Sequence, residues 1–507
     1  MRDSFSRRRF LQSTSAAGSL GVLGASWLNQ VPAVTAEETK PDPKSVVFTA
    51  DIEPTVQLLE NTQRDKLLEE VAGRIRKGKL NYQQVVTALQ LAGIRNVQPR
   101  PSVGFKFHAV LVVNSAHLAS LASADEDRWL PIFWALDAFK ESQAKDVSEG
   151  NWTMPAVATG KLPAPHEARE QLTHALEKWD AEQADVAAAI LARTASAGDI
   201  FELLCRYGAR DFRAIGHKII YVANAFRALQ VMGWQHAEPV IRSLAYAILN
   251  HQGEDNPANN DYAADRPYKE NQKRIKAIRN DWQDGKVDAG ATKELLVTLR
   301  TSSAADACEA VVQMLNQGVA PQSIWDGMLV GGGELLMRQP GIVGLHTLTT
   351  SNAIHYAYQN VQQDETRRLL LLQNAAFLTM FRDAMEKRGK VSDAEVLKLE
   401  PADKASVSLD EIFADVSGNR DAAARATLAY AKTEENADEF IRRARLLVFL
   451  KGRDSHDYKF SSAVLEDYRH LSPEWRDRFL ATSVYNLRGS KANDNELVAR
   501  TRQAFSA

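Results

Sequence analysis

The architecture is read from His217-Lys218-Ile219-Ile220-Tyr221-Val222-Ala223-Asn224-Ala225-Phe226-Arg227. An imidazole opens the stretch. Mostly apolar residues lead to an asparagine, a small residue and a second basic side chain. The same plan appears in His108-Ala109-Val110-Leu111-Val112-Val113-Asn114-Ser115-Ala116-His117 and in His346-Thr347-Leu348-Thr349-Thr350-Ser351-Asn352-Ala353-Ile354-His355. Gly216 and Gly344 lie just ahead of the second and third histidines, and the histidines are 109 and 129 residues apart. A rival register pairs His217 with Asp326, again 109 residues on, but only spacing supports it. The shared plan predicts a helical repeat of three copies, each about 110–130 residues, stacked as a solenoid or a toroid-like bundle. The charged stretches Glu167 to Ala192 and Lys269 to Arg300 fall between copies and are expected to supply outer helices.

Around these segments the periodicity is helical from Val56 onward. Leu67, Leu68, Val71 and Ile75 follow three-to-four spacing, as do Ile441, Ala444, Leu447 and Val448. Alternating strand patterns are scarce and hairpin dipeptides between β-branched runs are absent. The fold class is therefore expected to be all-α. Residues 37–55, rich in Pro, Thr and charge, read as a linker, 56–407 as the repeat domain and 408–507 as a C-terminal helical segment. Within the last, Ser472-Pro473-Glu474 has a hydroxyl N-cap and Pro at the first helical position. Asp454 to Tyr458 has the polar, aromatic look of a site-facing loop, but an ordinary solvated turn is the preferred reading.

The first 36 residues carry an address. Ser6-Arg7-Arg8-Arg9-Phe10-Leu11-Gln12 precedes a mild Ala/Gly/Ser-rich apolar stretch to Leu28, then the small-residue exit Val34-Thr35-Ala36. Paired arginines followed by Phe-Leu resemble the twin-arginine export signal, with Gln12 where Lys is usual. That resemblance implies the export machinery as a partner, a periplasmic or otherwise exported location, and a passenger that folds, often with its cofactor, before export. Cleavage after residue 36 removes four Arg and one Asp, taking the formal charge from -2 to near -5. No other run of 18 apolar residues occurs, so no membrane span is expected in the mature chain.

Composition narrows the chemistry. The 507 residues are 45% hydrophobic and 25% charged, with 62 basic against 64 acidic side chains, so neither nucleic acid nor an anionic surface is an expected partner. Cys205 and Cys308 form no C-x-x-C pair, which removes zinc ribbons, thiolate-held iron–sulfur clusters and covalent c-type haem. In an oxidising compartment the two are able to pair, although isolated cysteines are more often buried thiols. G-x-S-x-G and H-E-x-x-H are absent, and Gly331-Gly332-Gly333 lacks phosphate-loop spacing, so close helix packing is its preferred reading.

The candidate chemistry lies in histidines. His108, His217 and His346 open the three repeat helices and converge if those helices surround one axis. They are the expected catalytic residues and, with Asp326, the expected metal ligands. Three imidazoles suit zinc or iron, and Asp326 or Asp457 would complete an open iron site. His251, His355 and His456 are further cofactor-binding candidates, and non-covalent haem is a second cofactor option. His346 and His355 are nine residues apart, on opposite faces of any helix covering both, so they cannot share an ion. His166, His174 and His470 lie in charged stretches and read as surface. The hydroxyls of Thr347, Thr349, Thr350 and Ser351 are read as helix-capping groups rather than a pocket lining. Asp326 as a helix cap, the histidines as core residues and the asparagines bonding backbone form the plainer alternative.

Gly216-His217 through Ala225, and Gly344-Leu345-His346-Thr347 running to Asn352-Ala353-Ile354, resemble helices of the questin oxidase-like proteins. The His108 copy is a looser match. The resemblance implies a helical protein and oxygen insertion that opens an aromatic ring, with His108, His217 and His346 as site positions and His251 as a fourth. Two functions therefore stand side by side: an exported all-α oxidoreductase with a His-lined pocket for an unidentified small molecule, or a helical-repeat binding scaffold with structural histidines. Convergence of His108, His217, His346 and His456 on one cavity separates them.

Overall fold

The computed structural model describes residues 45–100, 107–251, 253–403 and 407–506; the proposed export signal lies outside them. Among the described residues the chain forms 22 α-helices joined by short 3-10 turns, and its only β-type pairing is an isolated bridge between Lys286 and Val319. The all-α expectation is met. Seven helices build the functional region: α1 (His108–Leu121), α2 (His217–Met232), α3 (Pro321–Arg338), α4 (Ile342–Asn360), α5 (Asp364–Glu386), α6 (Ser455–Asp467) and α7 (Pro473–Ser483).

Helices α1, α2 and α4 coincide with the three quoted stretches, and they are interior. Every residue from His108 to Ala116, from His217 to Phe226 and from Val343 to His355 is buried. Buried on every face, these helices are enclosed by protein, and polar side chains such as Lys218, Asn224 and Thr347 are hydrogen-bonded within it. In α1, α2, α4 and α6 taken cyclically, each helix packs against the next, and α6 returns to α1. All four run in the same direction. Their histidine-bearing ends meet, and six or seven residues further along Asn114 Nδ2 donates to Asn224 Oδ1 (3.4 Å), Ser462 Oγ to the Ser115 carbonyl (3.1 Å) and Asn224 Nδ2 to the Leu111 carbonyl (3.0 Å). At 1.5 Å rise per residue this polar layer lies about 10 Å from the histidines.

Parallel neighbours need long return connections, and the outer helices supply them. Trp129–Ser148 packs on α1, Ala197–Gly208 on α2, α3 and α5 on α4, and Glu434–Lys451 on α6. The C-terminal helix Glu496–Ser506 packs on Arg64–Arg76 and Trp129–Ser148, where Arg500 pairs with Glu69 (2.7 Å) and Phe505 contacts Phe133. The last element is thereby tied to the first helices.

Several sequence expectations change in the packing. Residues 45–52 are not free linker: Val46, Phe48 and Ile52 are buried, and Val46 N–H donates to the Met154 carbonyl (2.9 Å). Residues beyond 408 share cores with earlier ones, since Phe413, Phe440 and Phe479 cluster with Leu296, Val330 and Leu348. Gly331, Gly332 and Gly333 lie inside α3 as expected for close packing; a Cβ on Gly332 would stand 3.2 Å from Leu348 and one on Gly333 would collide with Thr482. Cys205 and Cys308 are both free and buried, and Cys308 donates to the Leu372 carbonyl, so the two do not pair.

Candidate metal centre

Four buried histidines close into a ring at the N-terminal ends of the inner helices. His108 is the first residue of α1, His217 the first of α2, His456 the second of α6, and His346 lies one turn into α4. Ring-centroid distances follow the cyclic order of the helices: 5.0 Å from His108 to His217, 4.7 Å from His217 to His346, 5.2 Å from His346 to His456 and 4.6 Å from His456 to His108. One ring nitrogen from each lies within 4.8 Å of the other three. Nε2 of His217 stands 3.2 Å from Nε2 of His108 and 3.1 Å from Nε2 of His346.

The opposite ring nitrogen is held from outside. His217 Nδ1 lies 2.7 Å from the Ala214 carbonyl, His346 Nδ1 lies 2.6 Å from the Ile342 carbonyl, and His456 Nδ1 lies 3.3 Å from Asp454 Oδ1. A carbonyl only accepts, so His217 and His346 carry their protons on Nδ1 and present bare Nε2 lone pairs to each other. Two lone pairs at 3.1 Å repel unless a proton or a cation lies between them. Burial disfavours the proton: desolvation pushes His108, His217 and His346 well below the ordinary imidazole range, and Lys459 and the neighbouring imidazoles push the same way. Four neutral nitrogen donors, three of them with outer-sphere partners on Nδ1, are what a transition-metal ion requires. Adjacent nitrogens on a metal at about 2.1 Å stand about 3.0–3.4 Å apart, depending on geometry, which these spacings fit.

The backbone is bent where it delivers one of these imidazoles. Ala214 and Ile215, immediately before His217, have φ of 54° and 46°, and Gly216 has φ of 82°. Left-handed backbone is costly for a β-branched residue such as Ile215. The turn directs the Ala214 carbonyl at the His217 ring. Gly216 is required twice, by its positive φ and because a Cβ there would collide with Thr350.

Lys459 is a candidate site residue that pattern reading missed. It lies one turn after His456 on the same face of α6, is 2% exposed, and its Nζ has no hydrogen-bond partner. Burial pulls its ammonium down to about 7, partly opposed by Asp454. The available signal was a lysine three residues from a histidine in a stretch rich in aromatic residues. Beside it the Tyr458 hydroxyl is also buried without a partner, and its ring stacks on Trp134 at 4.3 Å. Asp454 to Tyr458 is thus no solvated turn. Asp454 caps α6, accepting from the His456 N–H (2.7 Å), and Asp457 receives Arg488 through both oxygens (2.8 and 2.6 Å).

Other expected site residues lie elsewhere. Asp326 on α3 is absent from the cluster; its Oδ1 accepts from the Ser472 N–H at the head of α7 and from Gln322 Nε2, both 2.9 Å, because that helix start makes no hydroxyl cap of its own. His251 sits against Trp179 (5.4 Å) beyond the end of helix Ala237–Ile248. His355 points away from His346, as their spacing required, and meets Asp467 and His470 instead. His470 is half-buried rather than superficial, whereas His166 and His174 are exposed as expected. The α4 hydroxyls are not caps: Thr347 donates to the Gly332 and Gly344 carbonyls and Ser351 to Asn374, stitching α4 to α3 and α5. Four imidazoles in edge contact fill the centre, leaving room for an ion but no slot for a porphyrin. Comparison with protein-family models, with curated proteins and with solved structures gives no match.

Proposed function

We propose that this chain is an exported oxidoreductase in which His108, His217, His346 and His456 hold one redox-active transition-metal ion, iron in the first instance. The carrying observation is the pair of bare Nε2 lone pairs, 3.1 Å apart, in a site too buried to favour a shared proton. His108, His217, His346 and His456 would hold the ion, and a metal bound by four imidazoles would be open to a further ligand. Bound iron supplies Lewis acidity and one-electron chemistry with dioxygen. The residues around it favour an anionic oxygen ligand. Three helix N-termini end at the ring, their dipoles adding positive potential, and Lys459 is able to donate to an oxygen anion or accept its proton. Tyr458 offers a second unpaired donor. In this reading the substrate is a small molecule, and the resemblance to questin oxidase-like proteins makes an oxidisable aromatic the first class to try.

The same reading takes α1, α2 and α4 as inner helices of a repeat, with α6 a fourth inner helix that the sequence pattern did not show. The four close as a toroid. It also takes residues 1–36 as a twin-arginine signal; a folded reporter carrying them is expected to be exported, and Arg7→Lys with Arg8→Lys to abolish export.

The decisive experiment is elemental analysis of the full chain purified after native export. One iron per chain is expected, lost in His217→Ala and His346→Ala variants that retain native helical circular dichroism. A metal-free wild-type protein that takes up no iron, cobalt or zinc after reconstitution refutes the metal centre and leaves the scaffold reading.

A further inference from the structure

A second constellation lies at the other end of α4 and α6. His355 is nine residues beyond His346, and Asp467 eleven beyond His456. At 1.5 Å per residue they are about 14–17 Å along the helices from the four-histidine ring, too far to share its ion. His470 follows α6 and turns back onto His355, with ring centroids 4.8 Å apart. One ring nitrogen of each histidine and one oxygen of Asp467 all lie within 4.8 Å of one another.

The carboxylate is the telling group. Asp467 is fully buried; its Oδ1 accepts from Asn352 Nδ2 (2.9 Å), while Oδ2 has no partner. A buried carboxylate oxygen without a donor is unfavourable unless it is protonated or meets a cation. Neighbouring charge does not meet that need, because Arg227 is engaged by Glu466 (2.7 Å) and makes a contact to Asn352. Two imidazoles and one carboxylate make the donor set that binds divalent iron, manganese or zinc while leaving coordination positions open. Surrounding contacts hold the ligands: His355 packs on Trp325 (4.5 Å), the Gln359 amide lies 3.3 Å from His470 Nδ1, and Gln322 Nε2 donates to the His470 carbonyl (2.9 Å).

We propose that His355, Asp467 and His470 form a second, independent site for a divalent transition-metal ion. Its ligands come from α4, from the end of α6 and from the turn before α7. It does not depend on the four-histidine centre, although both sites share the two helices.

Co2+ titration of the metal-free full chain tests this, with bound metal counted after gel filtration and the visible ligand-field spectrum recorded. Two Co2+ per chain are expected for wild type. One is expected for Asp467→Asn, which keeps the Asn352 bond, and one for His217→Ala/His346→Ala, each with its own residual spectrum. His470→Gln, at a half-buried position, repeats the test where folding is least at risk, and circular dichroism verifies the fold. If Asp467→Asn and His470→Gln both bind as much Co2+ as wild type, the second site is refuted and Asp467 is a protonated core carboxyl. If wild type binds one Co2+, lost in Asp467→Asn and kept in the double histidine variant, the second site stands and the four-histidine reading falls.

Discussion

Replacing Lys459 with methionine should stabilise the metal-free protein, by an amount set by the position of the lysine. Its Nζ is fully buried without a partner, and its ammonium is pulled from 10.5 to about 7. The unfolded chain therefore binds more protons than the folded one between about pH 7 and pH 10.5, and stability rises with pH across that window. At about 1.4 kcal/mol per pH unit, the burden at pH 7 is on the order of 4 kcal/mol, shrinking below about 1 kcal/mol near pH 10.5. Methionine is unbranched and close in volume, so little packing is lost. The assay is a urea midpoint for wild type and Lys459→Met at pH 7 and pH 10, with chelator present throughout because a bound ion adds its own stabilisation. The difference between the two pH values cancels effects common to both proteins. A variant stabilised strongly at pH 7 and only slightly at pH 10 is the expected result. Equal shifts at both pH values, or a destabilised variant at pH 7, would refute the claim that an unpaired cation is buried beside the imidazoles.

Four further outcomes follow from the packing. The metal-free chain should lose stability as pH falls below about 6.5, because unfolded imidazoles take up protons while His108, His217, His346 and His355, all depressed by burial, do not; a thermal midpoint unchanged from pH 7 to 5 refutes this. Gly333→Ala should destabilise by about 1–3 kcal/mol through its clash with Thr482 despite better helix propensity. Gly73→Ala, which meets nothing within 4 Å in helix Arg64–Arg76, should stabilise by about 0.5–1 kcal/mol, both read as urea midpoints. Native protein should show no thiol reactive to Ellman's reagent at pH 8, since burial raises both thiols, Cys308 to about 11, whereas denatured protein should show two.

The inner helices were legible because their information is local. The stretches opened by His108 and His217 are mostly apolar, and the one opened by His346 carries hydroxyls but almost no charge, so each implies enclosure on all sides. Polar landmarks six or seven residues beyond each histidine imply similar depth in the bundle, and Asn114 and Asn224 do meet at that depth. Glycine spacing in α3 and the opposite faces of His346 and His355 likewise follow from helix geometry alone.

Partners distant in sequence were decided by the tertiary structure. His456 joined the ring from a segment with no copy of the motif, because α6 closes the gap between α4 and α1. Asp326 looked like a ligand by spacing, yet its oxygen answers the open N–H at the head of α7, 146 residues away. Asp454 to Tyr458 resembled a solvated turn because capping residues and site residues draw on the same polar types, and only enclosure tells them apart. Desolvation of Lys459, the bare nitrogens facing each other and the orphaned oxygen of Asp467 are properties of enclosed space. A sequence determines which side chains one helix presents together; which helices share an interior is decided by the packing of the whole chain.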